Sequence, residues 1–342
     1  MKNSNNHLLY IDVLNVISCF AVVFLHANGI FWSHPSGRLW ITSNFIETIF
    51  YYAVPIFFMI SGTTLIDFRS RYNISKYIKK RFIRTFIPFI SWSLVFYFYY
   101  LYIGILQKYE GNIVLRIINC KIIGIYWFFI PLFAIYCAIP FLSLFNDKLK
   151  VFKWMILFSF FTYSLLPFIE NLFHISINHN IQFPLSGGFI LYVILGYVLA
   201  NIDLNKNIRG ILYVLGLLGL FLHFYMTIVL SANSKYINTL FKGYMNFPCV
   251  FYSCSIFIFC KYTDFTELVN KKYIFYIFNL VRKNSLGVYL IHGIFVYTIC
   301  PKFLHINTCS ILYRTIGAIL IVFACCIISY FIKKIPIVRI IV

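Results

Sequence analysis

LLYIDVLNVISCFAVVFLHANGIFW, residues 8 to 32, decides the fold. Its apolar run exceeds the roughly 20 residues that cross a bilayer core, which reads as a membrane helix. A polar side chain at depth in such a helix is costly and marks a functional site by default, and His26 is that side chain. At 1.5 Å rise per residue it lies roughly 27 Å from Leu8 and within about 10 Å of the far end of the span. The imidazole is therefore expected near one membrane face.

The rest of the chain repeats the apolar pattern. Of its 342 residues 61% are hydrophobic, 21% aromatic and 11% charged, with a mean hydropathy of +0.85. That balance excludes an ordinary soluble domain. Ten apolar segments stand out, at 8 to 31, 45 to 66, 84 to 106, 122 to 144, 152 to 169, 183 to 200, 210 to 231, 244 to 261, 285 to 303 and 310 to 332. The fold class that follows is all-α, a polytopic membrane bundle of about ten transmembrane helices. No linker or composition shift divides it, so residues 1–342 are assigned to a single transmembrane domain. The first apolar stretch lacks a small-residue cleavage site, so it is expected to stay in the product.

The net charge of +20 invites a nucleic-acid reading, which its distribution answers. With the N-terminus placed in the cytoplasm, twenty-one Lys and Arg residues, Lys2 among them, fall in inner loops and seven, Lys108 among them, in outer ones. This bias orients the chain with both termini cytoplasmic and needs no nucleic-acid partner. His26 then belongs near the outer face. The ten cysteines lie mostly in apolar runs without CxxC spacing and read as small hydrophobes, and no metal site is expected.

Four polar clusters interrupt the apolar background. Asp12, Asn15 and His26 share the first helix, but Asp12 is about 21 Å from His26 along it and cannot orient the ring. Glu47, at the expected start of the second helix, is the best charged partner for His26, since a carboxylate fixes an imidazole tautomer and raises its basicity. The second cluster is VPIFFMISG (Val54 to Gly62), containing Ser61, followed by the basic stretch RSRYNISKYIKKRFIRTFIPF (Arg69 to Phe89). Lys76, Lys79, Lys80 and Arg84 share a helical face with Arg81 adjacent, which suits a phosphate-rich ligand or, equally, anionic lipid. The third, YWFFIPLFAIYCAIPFL, carries Trp127, Pro131 and Pro140. The fourth, NSLGVYLIHGIFVY, carries His292 in the expected inner half of its helix. Packing alone explains either histidine about as well as chemistry does.

These segments, in this order, resemble acyltransferase family 3, the integral-membrane O-acyltransferases of bacterial surface glycans. DVLNVISCFAVVFLH is similar to the first-helix signature, VPIFFMISG to the second, KKRFIRTFIPF to the basic third, YWFFIPL to the Trp-bearing segment and SLGVYLIH to the late one. The resemblance implies transfer of an acyl group, usually acetyl, from cytoplasmic acyl-coenzyme A to a hydroxyl of an envelope polysaccharide or lipid-linked sugar. The donor is a substrate, and no tightly bound cofactor is implied. The family's essential histidine falls on His26 and its basic pair on Arg81 and Arg84, with Lys80 and Lys76 as further donor-binding candidates. Asn15, Ser61, Trp127 and His292 are additional candidates. Where the family typically has Arg, eleven residues before the histidine, this chain has Asn15, so any role of that charge is lost or moved to Lys76, Lys79 or Lys80. Whether His26 is a general base or carries the acyl group stays open at this level. A translocator of glycan intermediates or small acyl or amine compounds is the competing class, and a polymerase or ligase of lipid-linked sugars a third.

Overall fold

A computed structural model describes residues 4–106, 112–178, 181 and 187–342. Lys2, Lys108 and the start of the sixth apolar segment lie outside them. The described residues are 80% helix with no strand. Eight helices are long and apolar enough to cross a membrane: α1 (Leu9–Ser33), α2 (Gly37–Ser70), α3 (Ile74–Tyr102), α4 (Gly124–Phe145), α5 (Leu149–Phe173), α7 (Lys206–Ser231), α9 (Lys272–Phe303) and α10 (Tyr313–Lys334). Two shorter apolar helices, α6 (Ile190–Asn201) and α8 (Phe247–Tyr262), complete the order. At 12 and 16 residues these two fall short of the span length, so among the described residues eight helices meet it, where ten were expected. The chain is an all-helical, multi-pass membrane protein.

Two expected boundaries move. The second helix begins at Gly37 instead of 45, because the chain turns through His34 and Gly37, both in the left-handed region at φ 50° and 60°, and resumes helix at once. Glu47 consequently sits ten residues inside α2. The ninth helix begins at Lys272 instead of 285, its first turns built from KYIFYIFNLVRKN, a stretch too polar to register as apolar span. His292 is therefore in the second half of α9.

α1 forms the centre, contacting α2, α8, α9 and α10. Of its apolar window 61% is buried, against 28% for α7, which identifies α7 as peripheral. Lipid tails are as apolar as leucine, so helices in a bilayer associate through close packing and polar contacts. At the α2–α6 crossing the packing is backbone on backbone. A Cβ added to Gly62 would lie 1.8 Å from the Val193 carbonyl oxygen, and one added to Gly196 would lie 2.1 Å from that of Met59.

Prolines set the local geometry of the basic helix and its neighbour. Pro140 cannot donate to the Tyr136 carbonyl, and that oxygen instead accepts from the Tyr77 hydroxyl at 3.0 Å, fastening α3 to α4. Pro88 likewise releases the α-helical ladder in α3, and residues Phe82–Phe86 widen into a π-turn in which the Ile87 N–H reaches Phe82. Arg81 and Arg84 flank and occupy that turn. Asn73 begins the helix by accepting from the Lys76 N–H at 3.0 Å.

Candidate functional site

Helices α1 and α9 bring the two histidines together. His26 Nδ1 is 2.8 Å from His292 Nε2, and the rings stack at 4.9 Å between centroids and 22° between planes. His292 Nδ1 is 2.9 Å from the Val288 carbonyl one turn earlier in α9. A carbonyl only accepts, so with both rings neutral Nδ1 of His292 holds its proton and Nε2 holds the lone pair. His26 must then donate from Nδ1, which leaves its Nε2 unprotonated. His292 is 0% exposed, so this chain of two bonds sits inside the bundle.

Glu47 is not the partner of His26. Its buried carboxylate accepts from Asn28 Nδ2 at 3.3 Å and from the Trp32 indole. Asn28 in turn donates to the Ser43 carbonyl at 2.8 Å and accepts from Arg314 Nη1 at 3.1 Å. Arg314 is itself buried, and its other donors go to Thr42 Oγ1 at 2.9 Å and the Cys309 carbonyl at 3.2 Å. Lys242, buried in the α7–α8 connection, donates to Thr48 Oγ1 at 3.3 Å and lies over the rings of Phe31 (4.8 Å) and Tyr51 (5.4 Å). Burial pushes its ammonium below the usual lysine range, opposed by the negative charge of Glu47. The carboxylate was expected to hold an imidazole; the tertiary structure engages it with an amide, an indole and two indirect cations.

Two cavities meet at His26. One of about 330 Å³ is walled by apolar Val22, Val54, Phe57 and Phe128, with Glu47 and Tyr244 among its polar groups. The other, of about 470 Å³, is walled by Gly29, Tyr100, Gly124 and Tyr297 among others. Leu25, His26, Trp32 and Trp127 belong to both walls. Trp127, expected to bear on the site or to anchor at the interface, lines both cavities and stacks on Tyr244 at 5.7 Å. Ser61 lies in neither wall, and its hydroxyl is spent on the Phe57 carbonyl at 2.9 Å.

The basic residues gather elsewhere. Lys76 and Arg84 are exposed, while Lys80 is half-buried with its Nζ 4.1 Å from the centre of the Tyr72 ring. Arg81 is half-buried over Tyr136 at 5.5 Å, and its buried Nε has no hydrogen-bond partner. None of the four lines either cavity. A column of rings runs between the two places: Phe86 to Phe133 (5.5 Å), Phe133 to Phe129 (5.9 Å), Phe129 to Tyr289 (5.4 Å) and Tyr289 to His292 (5.7 Å). Asn15 donates to Ser285 Oγ at 3.2 Å across α1 and α9, and one turn away Arg282 of α9 pairs with Asp12 at 2.8 Å. A guanidinium thus reaches this part of α1 from another helix.

Sequence reasoning missed Asn28, Trp32, Lys242 and the role of Arg314. Arg314 carried a usable signal, a charge at the rim of an apolar span. Lys242 carried none, because a lysine in a connection reads as solvated.

The geometry describes a half-buried imidazole in the wall of two cavities, apart from a cationic rim. Comparison with known proteins returns no match among curated proteins and none among solved structures. The family model of an acyltransferase domain, acyltransferase family 3, matches residues 8–330. Since that match takes in α1 to α9 and most of α10, both histidines and the basic rim included, the chain belongs to acyltransferase family 3.

Proposed function

We propose that this membrane acyltransferase moves an acyl group, acetyl first among candidates, from cytoplasmic acyl-coenzyme A to a hydroxyl of a cell-envelope polysaccharide or lipid-linked sugar. Its setting is the cytoplasmic membrane, with both termini inside. The observation that carries the reading is the unprotonated Nε2 of His26 in the wall of two cavities, held in that tautomer by His292 and the Val288 carbonyl. An acyl transfer needs such a group, since a sugar hydroxyl attacks a thioester only as its proton is removed.

In this scheme the hydroxyl oxygen bonds to the thioester carbon while its proton passes to His26 Nε2. Collapse of the tetrahedral intermediate breaks the carbon–sulfur bond, and the proton leaves with the thiolate as coenzyme A. The positive charge His26 carries in between is shared through Nδ1–H with His292 Nε2, so His292 is a positioning and charge-spreading partner. Coenzyme A phosphates pair with Arg81 and Arg84, whose guanidinium donors, the free Nε of Arg81 among them, suit phosphate oxygens. Lys76 and Lys80 add charge to the same rim. The pantetheine arm then follows the column from Phe86 to Tyr289, whose rings must part to admit it.

The test is mass spectrometry of surface glycans from cells with the wild-type chain, with His26→Ala and without the protein. The expected result is one acyl unit present only with the wild type. Unchanged acylation with His26→Ala overturns the reading. Stabilisation of the purified protein by coenzyme A, lost in Arg84→Ala, separates it from a translocator.

A further inference from the structure

The larger cavity at His26 has a wall of a particular chemistry. Trp32 is half exposed and belongs to both cavities, and its indole lies within hydrogen-bonding reach of the buried Glu47. Glu47 is itself fixed by Asn28, and Asn28 by Arg314, so the ring's edge is tied through three side chains to α2 and α10. Trp127 presents a second indole in the same wall. Tyr100 and Tyr297 bring phenols, and at Gly29 and Gly124 the backbone is bare: a Cβ built at either meets nothing within 4 Å. Among the described residues, no Lys, Arg, Asp or Glu is in this wall.

Each feature discriminates among acceptors. The described wall carries no charge to pair with an anionic or cationic head group. An unbranched alkyl chain makes no use of the phenols, which a hydroxylated ligand can hydrogen-bond. A neutral pyranose satisfies both kinds of surface, because its C–H face is apolar and slightly positive and meets the negative face of an indole, while its hydroxyls reach phenol and backbone groups. The volume of about 470 Å³ is that of a small-molecule pocket.

The geometry points to this cavity as the acceptor subsite, with Trp32 as a sugar platform whose orientation Glu47 sets, and to the cavity of about 330 Å³ as the compartment of the acyl thioester. The inference rests on the acyltransferase reading and assigns the carboxylate a positioning role: it acts on the acceptor through Trp32 and not on His26.

The experiment uses the full chain in proteoliposomes with radiolabelled acetyl-CoA, a panel of neutral methyl pyranosides, and n-octanol as a hydroxyl without a ring. Acetyl transfer and thioester hydrolysis by water are measured side by side. The wild type is expected to acetylate at least one pyranoside in preference to octanol. Trp32→Ala is expected to lower the ratio of transfer to hydrolysis roughly tenfold, the effect of one lost ring contact, and Trp32→Phe, which keeps a ring but offers Glu47 no N–H, to restore only part of it. Gly124→Val, whose Cβ enters open space, is expected to raise the pyranoside KM while Tm stays at the wild-type value. Hydrolysis without transfer to any pyranoside, octanol used as well as sugars, or wild-type ratios in Trp32→Ala and Gly124→Val each overturn the subsite. A wild type that neither hydrolyses nor transfers acetyl removes the acyltransferase reading and the subsite with it.

Discussion

The two functional ends of the molecule treat charge in opposite ways. Around His26 the ionisable groups Glu47, Lys242 and Arg314 are buried and fastened to named polar partners. Along the start of α3, Lys76 and Arg84 are exposed, and Arg81 and Lys80 rest on tyrosine rings, pairing with no carboxylate among the described residues. A buried charge must be held in one place, because an uncompensated ion away from water costs several kcal/mol. An exposed cluster costs little and keeps its donors free for a phosphate ligand. One end holds its charges in fixed geometry, and the other leaves them free.

Substitutions that separate the ends should differ in kind as well as size. Asn28→Ala removes in one step a donor to Glu47 and an acceptor for Arg314, leaving two buried ions short of a bond, and should destabilise the protein by about 2–4 kcal/mol. A Tm in mild detergent within the scatter of the wild type would show that the polar end is not the rigid one.

His292→Ala leaves His26 Nδ1–H without an acceptor and frees the ring to change tautomer. We expect acyl transfer to fall roughly 10–100-fold with little change in the donor KM. His292→Gln restores an acceptor and should recover part of the loss, a rescue that a purely structural role would not give. Equal loss in both variants would reduce the stacked pair to packing.

Arg81→Ala and Arg84→Ala together should raise the donor KM about tenfold at low salt and leave kcat nearly unchanged. Because the rim is solvated, the wild-type advantage should shrink as ionic strength rises past the point where the Debye length is about 10 Å. A fall in kcat with no change in KM would place these residues at the chemistry instead. In stability terms the same pair should be almost silent, the reverse of Asn28→Ala.

How much of this was legible in the chain depended on how local the cause was. α1 was readable from 8 to 32 because membrane insertion depends on length and polarity alone. The basic turn of α3 was readable because its i, i+3 and i+4 spacing is a property of one helix. The helix starts at Gly37 and Lys272 were not, since polar turns hide the continuation of an apolar span. The partner of His26 was assigned by topology to Glu47, the carboxylate that the loop after α1 was expected to return to the same membrane face. The ring found His292 instead, 266 residues away, because α1 packs against α9.

By itself the sequence determined a membrane helical bundle, a costly imidazole near one end of its first span and a cationic face at the start of its third. All three follow from free energies that single residues or single turns carry. Only the tertiary structure decided which nitrogen of His26 is free, that Glu47 serves a tryptophan, and that two cavities meet at one ring. Those are properties of pairs of side chains far apart in the chain, and a hydrogen bond is specified by the position of both its partners.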